Sequence, residues 1–144
     1  MPLRELPWKS IDQLIKTNLS TEEWEKAVLL TKNLNSARKR GWLTRDDLIA
    51  IGYWKSPRAI KHIKSNHYAT IKKVTQNAFK TKSESSKIKE LTTLSGVSLP
   101  MASAILTLTN PKRYGVIDIR VWEILYKMGV VDCNPKGTNF RTNH

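Results

Sequence analysis

LSGVSLP, residues 94–100, sits inside a run that otherwise reads as helix, and Gly96 followed by Pro100 interrupts that run. Upstream, Leu91 and Leu94 recur at helical spacing; downstream, Ala102, Ile105 and Leu106 do the same. The spacing predicts two helices, over residues 86–94 and 99–109, folded back as a hairpin with Leu91, Leu94, Ile105 and Leu106 facing one another. Gly96 supplies the positive φ that reverses the chain, Val97 plugs inward, and Ala102 is small enough for close helix approach. Ser98 stands where a cap belongs and Pro100 falls in the first turn. The first N–H groups of a helix have no intrahelical partner, so the entry to the second helix presents backbone amides outward. A row of such amides attracts anions.

The rest of the chain is punctuated in the same way and nowhere alternates with period two, which predicts an all-α, compact multi-helix domain. Ser10 is expected to cap a first helix carrying Ile11, Leu14 and Ile15. Ser20 with Glu23 forms a capping box for a longer one through Trp24, Val28 and Leu34 to Gly41, and Thr44 with Asp47 repeats the device. Ser56-Pro57 opens a helix with Ile60 and Ile63. Another, from about His67, presents Tyr68, Ile71, Val74, Ala78 and Phe79 on its apolar side. TKSESS, residues 81–86, reads as a polar linker. Asn110-Pro111 ends the hairpin's second helix, and Asp118 is placed to cap a last one over residues 119–128, closed by Gly129. A single domain over residues 1–129 with a tail over 130–144 is expected.

Composition narrows the function. Apolar residues are 40% of the chain and charged residues 26%, a balance that folds. The longest apolar stretch, MASAILTL at 101–108, is far shorter than a membrane span, and Met-Pro-Leu-Arg-Glu lacks the layout of a signal peptide. A cytoplasmic monomer is expected, nucleoid-associated if its source is bacterial or archaeal. One cysteine, Cys133, excludes an internal disulfide, a four-thiolate zinc site and a cysteine-ligated iron–sulfur cluster, so no metal or cofactor is expected. Net charge is +13, and residues 55–89 hold ten Lys or Arg against the single acid Glu84. Such a field draws polyanions over a Debye length of roughly 8 Å. Nucleic acid is the partner this charge fits best; a solvated face kept basic for solubility is the bland alternative.

The pattern of residues 91–106 resembles the helix-hairpin-helix motif, which grips a DNA strand through backbone amides. Beyond it, Gly115-Val116-Ile117-Asp118-Ile119-Arg120-Val121-Trp122 is similar to the V-D-x-x-V/M-W/R segment of the helix-hairpin-helix DNA glycosylase superfamily, which includes the endonuclease III and 8-oxoguanine glycosylase groups. The resemblance is carried by residues 88–126. It implies a glycosylase-like fold that binds duplex DNA, flips a damaged base out of the stack and hydrolyses its N-glycosidic bond, as in base excision repair. It implies Asp118 as the catalytic carboxylate, and Gly96, Val97 and Ser98 as phosphate contacts. Lys55, Arg58, Lys61, Lys87, Lys112, Arg113 and Arg120 are the basic side chains expected to join them. Tyr114, Trp122, Trp54 and Tyr53, in that order, are candidates to receive the base.

Three departures shape the expectation. Pro100 occupies the position where bifunctional members keep a nucleophilic lysine, so any activity is monofunctional and leaves an abasic site in an unbroken strand. Ser98 replaces the second hairpin glycine, and only one helix follows Asp118. A non-catalytic DNA- or RNA-binding module on the same scaffold is therefore the alternative, and Asp118 then serves as a helix cap only. A helical protein-interaction domain is a third reading. Trp8, Trp24 and Trp42 read as core residues and His62 and His67 as surface residues; Trp54-Lys55-Ser56-Pro57-Arg58 fits either a second phosphate site or an ordinary capped helix.

Overall fold

Most start signals lie where helices begin. In the computed structural model, which describes residues 21–116 and 119–131, the elements are α1 (Thr21–Asn33), α2 (Asn35–Arg40), α3 (Arg45–Lys55), a 3-10 turn (Pro57–Ala59), α4 (Ile60–Ile63), α5 (Tyr68–Lys80), α6 (Glu84–Leu91), α7 (Leu99–Thr109) and α8 (Ile119–Lys127). No strand occurs among the described residues. The expected helix from Ser10, Trp8, Cys133 and the tail from residue 132 lie outside them, as does Asp118.

Thr44 and Asp47 form the capping box reciprocally: Asp47 N–H donates to Thr44 Oγ1 (3.1 Å) and Thr44 N–H to Asp47 Oδ2 (3.0 Å). Gly41 and Gly129 end their helices at φ +88° and +75°. At Gly129 the bonds from Gly129 N–H to Tyr126 O and from Val130 N–H to Leu125 O make a Schellman motif.

The single helix expected up to Gly41 is instead divided at Leu34, between α1 and α2. Asn33, Asn35 and Ser36 are weak helix formers, and the Ser36 hydroxyl takes the Asn33 carbonyl (3.4 Å). Val28 of α1 is exposed, and so is Tyr68 at the start of α5, expected on the apolar side of that helix. The polar linker is shorter than expected, because the Ser83 hydroxyl accepts Ser86 N–H and starts α6 at Glu84. That helix also stops earlier, at Leu91. Thr92 and Thr93 turn their hydroxyls onto the carbonyls of Ile88 and Glu90, and bonds of the i to i−3 type tighten the chain toward the hairpin.

α7 is the central helix, packed against α1, α2, α3 and α6. Every residue from Met101 to Leu106 is buried, with Leu108 and Thr109. Full burial of a large aliphatic side chain contributes about 1.5–3 kcal/mol, and Leu91, Leu94, Ile105 and Leu106 are all buried in the core cluster. The buried hydroxyls bond back along the helix: Ser103 to Pro100 O and Thr109 to Ile105 O, each 2.7 Å. Elsewhere in the core Thr75 joins α5 to the start of α3, accepting Leu43 N–H at 2.9 Å while donating to Ile71 O.

Gly96 has φ +78°, as the chain reversal requires. It meets a second constraint that local spacing does not show. A Cβ at this position would lie 2.9 Å from Ile63 Cγ1, 3.0 Å from Ile63 N and 3.1 Å from Ala59 O, so the hairpin turn rests directly on the backbone before and within α4. Replacing Gly96 with Ala combines the left-handed penalty of about 1–2 kcal/mol with an overlap worth about 1–3 kcal/mol. Gly129, whose surroundings are open, carries the first penalty only. Urea denaturation should show Gly96→Ala losing clearly more stability than Gly129→Ala; equal losses would show that the seat yields.

Candidate functional site

The hairpin turn is held by one side chain. Asn66, in the loop between α4 and α5, donates from Nδ2 to Ser95 O and Ile63 O and accepts Ser95 N–H on Oδ1, each at 2.9 Å. The two bonds to Ser95 imitate a backbone pairing. The loop is fixed from the other side by Arg45, whose guanidinium donates to Lys64 O at 2.7 Å. A rigid seat thus sets the aim of whatever the turn presents.

Of the three residues expected to contact phosphate, Val97 is buried and its N–H is spent inside the turn on Leu94 O (3.2 Å). The Ser98 side chain is exposed and makes no capping bond, although its backbone has the extended conformation of a cap. The first α7 bond runs from Ala102 N–H to Ser98 O (2.8 Å). The amides of Ser98, Leu99 and Met101 precede it and have no intrahelical partner, while Pro100 has no N–H.

The basic residues divide into two groups. Arg58 and Lys61 are exposed in the 3-10 turn and α4, on the segment that carries the hairpin, and Lys55 is half-buried at the end of α3. Lys64 is exposed too, with Nζ 5.9 Å from the ring centre of Tyr53. Near the far end of the α6–α7 pair, Lys112 is exposed, but Lys87 donates to Ala78 O (3.2 Å) and Arg113 pairs with Glu84 (2.5 Å). Asp118 and the Arg120 side chain lie outside the described residues.

The aromatic candidates also separate. Tyr114 borders a groove of about 430 Å³ between α6, α7 and the segment after α7, together with Ile88, Leu99, Ser103, Leu106, Glu84, Arg113 and Gly115. That size is within the range of small-molecule clefts, about 300–1,000 Å³. Tyr114 also edges a smaller cavity of about 190 Å³ beside Lys87 and Phe79. Trp54 and Tyr53 are on α3 and line neither space; Trp54 packs on the core and Tyr53 is exposed. Trp122 is buried in α8.

Glu84 is the residue that spacing did not single out. It is the one acid in the basic segment, which was the signal present in the sequence. Partial burial pushes its carboxyl up, but hydrogen bonds from Tyr114 and Arg113 and the charges of Arg113 and Lys87 outweigh that and hold it below the ordinary glutamate value. Burial and the bond to Glu84 raise the Tyr114 hydroxyl above the usual phenol value. The groove can therefore offer an apolar floor, an aromatic edge and an acid–guanidinium pair at its mouth.

Among the described residues no three His, Cys, Asp or Glu side chains gather as a metal site needs, and no helix is long and apolar enough to cross a membrane. No family model, curated protein or solved structure matches the chain.

The lowered Glu84 value makes its contribution to stability present above the ordinary carboxylate range and lost as pH falls through the folded value. The raised Tyr114 value makes the opposite contribution, present below the ordinary phenol value and lost as pH rises. Both groups are partly solvated, so the effects are small. Spectrophotometric titration, with Tyr114→Phe identifying the signal, should show Tyr114 ionising at lower pH in Glu84→Gln than in wild type.

Proposed function

We propose that this protein binds DNA through the α6–α7 hairpin and the basic segment 55–89, and that it acts as a monofunctional DNA N-glycosylase with Asp118 as its carboxylate. The observation that carries the reading is the turn itself. Gly96 in the left-handed region, the Asn66 clasp and the amides of Ser98 and Leu99, which have no intrahelical partner, offer fixed donors seated on a segment with nine net positive charges.

The chemistry follows from the sugar. Breaking the N-glycosidic bond develops positive charge on deoxyribose, which a nearby carboxylate stabilises. The base departs with the electron pair of the broken bond, water adds at the anomeric carbon, the carboxylate takes the proton of that water, and this proton passes through solvent to the departed base. Pro100 offers no amine for a Schiff base, so the strand stays intact. The groove of about 430 Å³ beside Tyr114 has room for a planar ring, and Gly115, which lines it, precedes Asp118 by three residues in sequence.

A non-catalytic DNA- or RNA-binding module is the second reading, favoured by the Arg113–Glu84 pair at the groove mouth and the internal engagement of Lys87. One assay separates the two. Duplexes carrying oxidised, alkylated or deaminated bases should yield free base with wild type and none with Asp118→Asn, while the variant keeps its affinity. Binding without release from any of these duplexes assigns the module. In either case log affinity should fall against log salt with a slope of about 0.9 per phosphate contact, and Lys61→Ala should reduce that slope. Negligible affinity for duplex DNA would overturn the enzyme, and negligible affinity for single-stranded DNA and RNA as well would overturn the module.

A further inference from the structure

Among the described residues, the large apolar side chains left exposed include two aromatic ones, Tyr53 (54% exposed) and Tyr68 (67%). Both border the loop that seats the hairpin. Lys64, at the start of that loop, lies over Tyr53. Tyr68 follows Asn66 by two residues, so their Cα atoms are at most about 7.6 Å apart. The His67 and Tyr68 rings lie against one another, with centroids 4.5 Å apart and planes tilted by 34°. Two exposed tyrosines therefore adjoin the loop from which Asn66 holds Ser95, Tyr53 through Lys64 and Tyr68 through its place two residues on.

Their surroundings are cationic. No acid occurs between Lys55 and Ser83, and Arg58, Lys61 and Lys64 are exposed on the same short segment. The loop is also rigid before any ligand arrives, held by Arg45 on Lys64 O, by the Asn66 clasp, and by Ala69 N–H on His67 Nδ1 (3.2 Å). Exposed rings on a fixed support, interleaved with cations, are the arrangement by which proteins hold unpaired strands. Each ring stacks a base and the cations track the backbone. A paired duplex offers no free base faces to such rings.

We propose that Tyr68 and Tyr53 form a stacking platform for the unpaired bases of a single-stranded DNA segment, whose phosphates run across Arg58, Lys61 and Lys64 beside the hairpin. The proposal rests on the reading of the protein as a DNA binder and adds a second mode to it. The hairpin holds backbone phosphates, and the tyrosines make the face selective for strands with exposed bases.

The test uses the full chain, an end-labelled oligothymidylate and a duplex of equal length, with fluorescence anisotropy as the readout. Tyr68→Ala should weaken oligothymidylate binding by about five-fold or more and leave duplex binding unchanged, while Tyr68→Phe, which keeps the ring, retains the affinity. Tyr53→Ala should act in the same direction. Both side chains are exposed, so the thermal melts of the variants should match wild type. If the alanine variants bind oligothymidylate as wild type does while Lys61→Ala and Lys64→Ala weaken both DNAs, the platform is wrong and the DNA-binding reading stands. Equal losses on both DNAs would also overturn the platform. If wild type binds neither DNA at physiological salt, both ideas fall.

Discussion

The contact on which this structure depends is the one between Gly96 and the backbone of Ala59 and Ile63. A helical hairpin alone is a two-element object free to rock on its neighbours. Here the turn approaches so closely that a single methyl group would not fit, and Asn66 closes the gap with two bonds to Ser95. Because α7 is the central helix, fixing its entry also fixes the layer of α1, α2, α3 and α6 around it. Packing against α4 is thus part of what positions the amides at the start of α7.

The hairpin was legible because its information is local: a glycine, a proline and helical spacing on both sides lie within residues 91–106. Caps at Thr44 and Gly41 were legible for the same reason. What pairs across distance was not. Asn66 and Ser95 are 29 positions apart, as are Glu84 and Arg113, and nothing in their immediate neighbours marks either as a partner. The division at Leu34 was missed because hydrophobic spacing runs through it; the competing hydrogen bond of Ser36 shows only in three dimensions. Tyr68 fits an apolar helical stripe in sequence, yet its place in the first turn of α5 leaves it beyond the edge of the core. The four aromatic candidates share a residue class, and the fold places Tyr114 by the groove and Tyr53 and Trp54 away from it.

Positive charge in this chain has two uses, and composition cannot tell them apart. Arg45 and Lys87 spend hydrogen bonds on backbone carbonyls, and Arg113 is neutralised by Glu84. Arg40 and Lys72 both lie over the Trp42 ring, at 4.4 and 4.5 Å from its centre, where attraction to the ring holds their positions. Arg58, Lys61, Lys64 and Lys112 instead stand exposed. The first three lie on the segment beneath the hairpin turn, and Lys73, Lys80, Lys82 and Lys89 continue the exposed positive surface along α5 and α6.

The Asn66 clasp is built from neutral groups. Ionic strength and pH act on charges, so the variables that govern attraction of a polyanion leave this joint unchanged. For the strand binding proposed above, affinity and shape would answer to different solution conditions: salt would release the strand without loosening the turn. A turn fixed in this way would meet each strand without the delay or entropy of reassembling a site.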